Sequence, residues 1–162
     1  MAELTNLESK LGEVLGLAQA AQQVTKKVAG LVENAQVKQS LDQMHEDAVE
    51  AERRCTELAS QIDGKKTAIE EKARETKSEA QEMMQTYLGD DADGLDGFEF
   101  LVMAEAGELG HVEIVRKMNE QAANQQVQEL VEWAIPVQQR HVEMTRECSL
   151  TLAGEEDPNE TE

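Results

Sequence analysis

The chain has 162 residues with 34 acidic side chains against 15 basic ones, a formal net charge of −19, and its aromatics are one Trp, one Tyr and two Phe. So few aromatic and β-branched residues exclude an all-β fold. The negative charge, with no basic stripe, disfavours nucleic-acid and anionic-membrane partners. Met1 to Lys10 is polar and acidic rather than a leader, and no stretch reaches the roughly 18 apolar residues of a membrane span, so a cytoplasmic chain is expected. Cys55 and Cys148 lack a CxxC partner and read as small core residues.

Helical periodicity runs through the whole chain. Steps of three and four residues give a first stripe, Leu4, Leu7, Leu11, Val14, Ala18, Ala21, Thr25, Val28 and Val32, which predicts a helix of about 29 residues. Leu15, Leu17, Val24 and Leu31 flank that stripe and make an apolar face broader than one bundle core requires, which predicts a homodimer. Asn34 is placed to cap a second helix, with the stripe Val37, Leu41, Met44, Ala48, Ala51, Cys55, Leu58 and Ile62. The short joint makes the pair an antiparallel hairpin.

Asp63-Gly64 breaks the pattern. A weaker stripe over Ile69, Ala73, Thr76, Ala80, Met83 and Tyr87 then predicts a connecting helix. GDDADGLDG, residues 89–97, reads as a loop ending in an N-cap at Asp96, and its Gly and Asp spacing does not match a calcium loop. Two more helices are expected over 98–122 and 125–153, and the acidic residues 154–162 have the composition of a disordered tail. Two hairpins joined by a crossover helix are the layout of a ferritin-like four-helix bundle, an all-α fold.

Polar residues interrupt the last two stripes. Glu105 and Glu108 stand between Leu101 and Val112, and Gln138 and His141 between Ala134 and Thr145, at similar depth if the two helices are antiparallel. A buried, unpaired carboxylate costs several kcal/mol, so these glutamates need a proton, a cation or a metal. Oxygen and imidazole donors together suit Fe, Mn or Zn. The competing expectation is a hydrogen-bonded core in which a protonated His141 pairs with one Glu, or in which an Arg reaches in.

Glu108-x-x-His111 resembles a ligand pair, but His111 leans off the stripe, and Asp42-x-x-His45 suggests a solvated or interface histidine. Met44, Met83, Met84 and Met144 read as core filler. Pro136 removes a backbone donor one turn before Gln138 and His141, which predicts a kink beside the polar residues. No nucleophile arrangement and no phosphate-binding glycine loop is present.

Residues 16–62 and 98–153, with GKKTAIEE after the first hairpin and LVMAEAGELG in the later one, resemble the YciE/YciF-type stress-associated family of the ferritin-like superfamily. The resemblance implies a four-helix bundle similar to di-iron carboxylate proteins, which take a Glu from two helices and Glu-x-x-His from two others. Glu105, Glu108 and His141 match ligand positions in it. The departures are Gln138 and Asp47 where Glu is expected, Met44 and Ala51 where His is frequent, and Ala18 where the first helix has Glu. The set Glu105, Glu108, His141, Asp47 and Gln138 therefore implies at most one Fe, Mn or Zn ion and no oxygen activation. The alternatives are a structural bundle acting through self-association, and a ferroxidase- or peroxidase-like enzyme.

Overall fold

The structure, a computed structural model, describes residues 2–161. Five α-helices and no strand occur among them: α1 (Asn6–Ala29), α2 (Ala35–Gln61), α3 (Lys66–Tyr87), α4 (Gly94–Ala122) and α5 (Gln125–Ala153). The helix ends follow side-chain capping. The first helix is 24 residues long, shorter than its stripe, because Thr5 and Glu8 close a reciprocal capping box and Gly30 caps the other end. Asn34 caps α2 as expected, accepting from the Gln36 and Val37 amides at 3.0 and 3.2 Å.

The start of α4 differs from expectation. Asp93, not Asp96, is its N-cap; Asp93 accepts from the Asp96 amide at 2.9 Å, and Asp96 returns a bond from the Asp93 amide at 3.0 Å. Gly94 to Gly97 thus belong to the helix rather than to the loop. These two glycines permit close approach: a Cβ at Gly94 would lie 2.7 Å from a Val32 methyl, and one at Gly97 would lie 2.9 Å from a Val28 methyl. The beginning of α4 is pressed onto the end of α1.

Cross-helix contacts fix the directions. Gln19 and Gln22 of α1 meet Glu52 of α2, and Thr25 meets His45, so these helices are antiparallel. Gly97 beside Val28 and His111 beside Glu13 make α4 antiparallel to α1. Asp47 beside His141, and Arg54 stacked 4.5 Å above the Trp133 ring, make α5 antiparallel to α2. A two-residue turn holds α4 against α5, where the Asn119 side chain bonds both the Asn124 amide and its carbonyl.

Parallel to α1 lies α3, with Gly12 against Lys72, Gly16 against Ala73 and Thr76, and Gln23 bonded to Gln81. Here the breadth of α1 finds its cover. Leu15 and Val24 are buried inside the chain, and Leu15 shares a core cluster with Ala73. The wide apolar face therefore serves intramolecular packing and does not by itself call for a second copy.

Two apolar clusters fill the interior. One gathers Leu11, Leu15, Leu58, Val115 and Val131; the other gathers Val28, Leu41, Met44, Phe98 and Leu101. Along each of α2, α4 and α5 the polar residues fall between the two. Cys55 and Cys148 are buried free thiols in separate clusters, and burial pushes the Cys55 thiol up to about 12. Met44 is core, while Met84 and Met144 pack partly buried against it. Met83 corrects the expectation, for it faces outward on α3 at 55% exposure. Residues 154–161 are exposed turns and coil, although Asn34 donates to Glu155 at 3.1 Å. Among the described residues no helix is long and apolar enough to cross a membrane.

The contact between α1 and α3 yields a test. A Cβ at Gly16 would stand 2.4 Å from the Ala73 carbonyl oxygen, a backbone atom that cannot swing away. Gly16→Ala should therefore destabilise the protein by about 1–3 kcal/mol, the usual range for overpacking. At Gly110, also within a helix, a Cβ meets nothing within 4 Å. Gly110→Ala should stabilise by up to about 1 kcal/mol through helix propensity. Urea denaturation of both variants checks the pair, and equal effects would contradict the close crossing.

Candidate functional site

The layer between the two clusters is built from three helices. Glu105 and Glu108 come from α4, Gln138 and His141 from α5, and Asp47 from α2. Glu105 and His141 are almost completely buried, at 1% and 3% exposure, whereas Glu108 and Asp47 are half-buried. The sequence-predicted residues form one hydrogen-bonded chain. His141 Nδ1 lies 3.1 Å from Glu105 Oε2, and His141 Nε2 lies 2.8 Å from Asp47 Oδ2. The Gln138 amide donates to Glu105 Oε2 at 3.3 Å and to Glu108 Oε2 at 3.1 Å.

An imidazole with a carboxylate at each nitrogen is best satisfied as the imidazolium, since both nitrogens then donate. Burial opposes that charge, but the hydrogen bonds and negative charges of Glu105 and Asp47 outweigh it and raise the His141 pKa. Glu108 is driven the other way in charge. Burial and then the neighbouring Glu105 charge hold its carboxyl well above the usual range, against the stabilising bond from Gln138. The layer thus answers its own charge problem with protons. Arg140, exposed at the edge, approaches Asp47 only to 4.0 Å.

Among the described residues, no group of three or more His, Cys, Asp and Glu side chains is arranged as a metal-holding set. In the hydrogen-bonded arrangement both nitrogens of His141 are engaged, and Glu105 Oε2 is shared between two donors. Asp47 touches the far nitrogen of His141, on the side opposite the glutamates. That is the position from which a carboxylate orients a histidine ligand rather than binding an ion itself.

The weaker candidates lie elsewhere. His111 bonds the Gly107 carbonyl through Nδ1 at 2.8 Å and turns Nε2 towards Glu13 at 3.4 Å, away from the layer. His45 bridges to α1, with Nδ1 3.2 Å from Thr25 Oγ1 and 3.1 Å from the Gln22 carbonyl. The helix α5 continues through Pro136.

The alanines that replace expected ligands have a definite place. Ala18 of α1, Ala51 of α2, Glu108 of α4 and Gln138 of α5 all border one small void of about 30 Å³. A second, larger cavity of about 230 Å³ reaches Glu105 and Glu108 from the opposite side, between α1, α3 and α4. The α3 stripe contains the wall residues Ala80, Met83 and Tyr87, but periodicity alone does not show that α3 lies along α1 and α4 to enclose a space. No family model, curated protein or solved structure matches this chain.

The paired protons make stability depend on pH. Both His141 and Glu108 have folded pKa values above their unfolded ones, so each contributes stability that is complete below the unfolded value and is lost as pH rises through the folded one. The loss attributable to Glu108 begins above its ordinary 4.5 and that of His141 above its ordinary 6.5. The parent should therefore lose stability as pH rises above 6.5, and His141→Gln should flatten that limb of the curve. Urea melts across this range check the sign; a parent whose stability rises with pH would rule out the imidazolium.

Proposed function

We propose that the chain is a cytoplasmic, ferritin-like bundle protein of the stress-associated type, non-catalytic, with a depleted carboxylate–imidazole centre that holds at most one divalent ion. In this reading α1, α2, α4 and α5 are the four bundle helices and α3 is the crossover. The antiparallel pairings α1–α2, α4–α5, α1–α4 and α2–α5, with α3 running the length of α1, support it. The two buried free cysteines support a reducing compartment.

The observation that carries the proposal is the small void. A bundle that once placed one ligand per helix around a shared centre would, on losing two of them to alanine, retain a gap bordered by all four helices. Ala18, Ala51, Glu108 and Gln138 border such a gap. A single Fe, Mn or Zn ion would take oxygen from Glu105 and Glu108 and nitrogen from His141 Nδ1, with Asp47 holding Nε2 and Gln138 beside the carboxylates. Binding would displace the Nδ1 proton and the Glu108 proton. A neutral Gln138 and the lost Ala18 and Ala51 ligands leave too little negative charge and too few donors for two ions, which argues against ferroxidase or peroxidase chemistry.

Restoring the donors tests the reading. Ala18→Glu, Ala51→His and Gln138→Glu together should bind two ions per chain where the parent binds one or none. Without metal the triple variant should melt below the parent, because it buries more uncompensated charge. Anaerobic titration with Fe(II) and elemental analysis of desalted protein give the stoichiometry. Two ions bound by the parent, or no gain in a variant that remains helical, would overturn the proposal.

A structural bundle acting as a homodimer is the second reading, and the side chains that favour it are not those of α1. Met83, Tyr87 and Met103 stand exposed around one groove mouth, at 55%, 55% and 48%. Sedimentation equilibrium over a hundredfold concentration range should return twice the 18.0 kDa chain mass in this case. A monomer throughout removes it.

A further inference from the structure

The larger cavity lies between α1, α3 and α4 and has a volume of about 230 Å³. Its walls are apolar, from Leu17 and Ala21 of α1, Met83 of α3, and Phe100 and Ala104 of α4, and its mouth opens to solvent past Tyr87 and Met103. At the inner end stand Glu105 and Glu108. Both hydrogen bonds of Glu105 fall on Oε2, so Oε1 has no protein partner. Among the described residues no fully enclosed side-chain oxygen lacks a partner, so Oε1 of this nearly buried carboxylate keeps a small accessible surface, and the cavity is the space that Glu105 lines. Glu108 likewise uses only Oε2, towards Gln138.

Charge is unbalanced at this end of the pocket. Glu105 and Glu108 stand there, the lining includes neither Lys nor Arg, and its one histidine, His111, turns Nε2 to Glu13; an ammonium at this end would take the place of the proton that Glu108 otherwise carries. An apolar tunnel ending on unpartnered carboxylate oxygens is complementary to a molecule with an apolar body and one positive end. Size limits the body: a cavity of about 150 Å³ accommodates benzene, so 230 Å³ has room for about nine heavy atoms. We infer that this cavity is a binding site for a small apolar primary amine, whose ammonium group bonds Glu105 Oε1 and Glu108 while its hydrocarbon body fills the space between α1, α3 and α4. The inference does not depend on the metal reading, since it uses only the cavity that Glu105 and Glu108 line.

Isothermal titration of the full chain in EDTA with 2-phenylethylamine, against the neutral isostere 2-phenylethanol and the anion 3-phenylpropanoate, tests it apart from any metal. The amine should bind at least about tenfold more tightly than the alcohol, a difference of about 1.4 kcal/mol, and the anion more weakly than either. Glu108→Gln, nearly isosteric, should reduce amine affinity about tenfold and leave the alcohol unchanged. Ala104→Phe, which fills the cavity from α4, should weaken both. Absence of amine binding, equal binding of amine and alcohol, or undiminished amine binding by Glu108→Gln would overturn the site. None of these outcomes bears on how many ions the chain holds.

Discussion

Glu105 sets the terms for the middle of this protein. Its side chain is only 1% exposed, and an ion so placed is tolerable only with a cation and several hydrogen bonds around it. His141 supplies the charge, Gln138 a further donor, and Asp47 steadies the imidazolium from behind. Glu108, next in line, is left to carry a proton. The consequence reaches beyond the polar residues, because the layer divides the apolar interior into two clusters that meet the same helices at different heights. Replacing one member strands the others, so the layer behaves as a unit.

Much of this was legible in the sequence, for identifiable reasons. A 3.6-residue period is a direct consequence of helix geometry, so the stripes found all five helices, and Asn34 announced the start of α2. Glu105, Gln138 and His141 could be singled out because ionisable or amide side chains stood where the period demanded leucine. What escaped was anything set by a partner distant in sequence. The fourth helix was expected to begin at 98 because Gly94 and Gly97 look like loop residues; only the proximity of Val28 and Val32 explains glycine inside a helix there. The face of α1 looked wide enough for a second chain because nothing local reveals that α3 lies along it.

The site shows the same division. Periodicity gave the residues of the layer but not the side of His141 on which each carboxylate sits. Only the resemblance points to Asp47, and as a ligand, whereas its contact is with the outer nitrogen. The small void bordered by Ala18 and Ala51 has no signature in the sequence, since an alanine on a helix stripe is unremarkable until its neighbours from three other helices are known.

One further consequence follows from the turn between α4 and α5. Only Ala123 and Asn124 separate the two helices, with Ala123 in a left-handed conformation at φ 51° and Asn119 clasping the backbone beyond it. Closing so short a loop costs little chain entropy, whereas bringing α2 to α5 means joining residues 94 positions apart. Glu105, Gln138 and His141 can thus assemble within one local hairpin, while Asp47 must arrive from the other. During folding the imidazole meets its inner carboxylate cheaply and waits for its outer one, which makes the docking of the two hairpins, rather than the winding of any helix, the step in which the buried charges become fully matched.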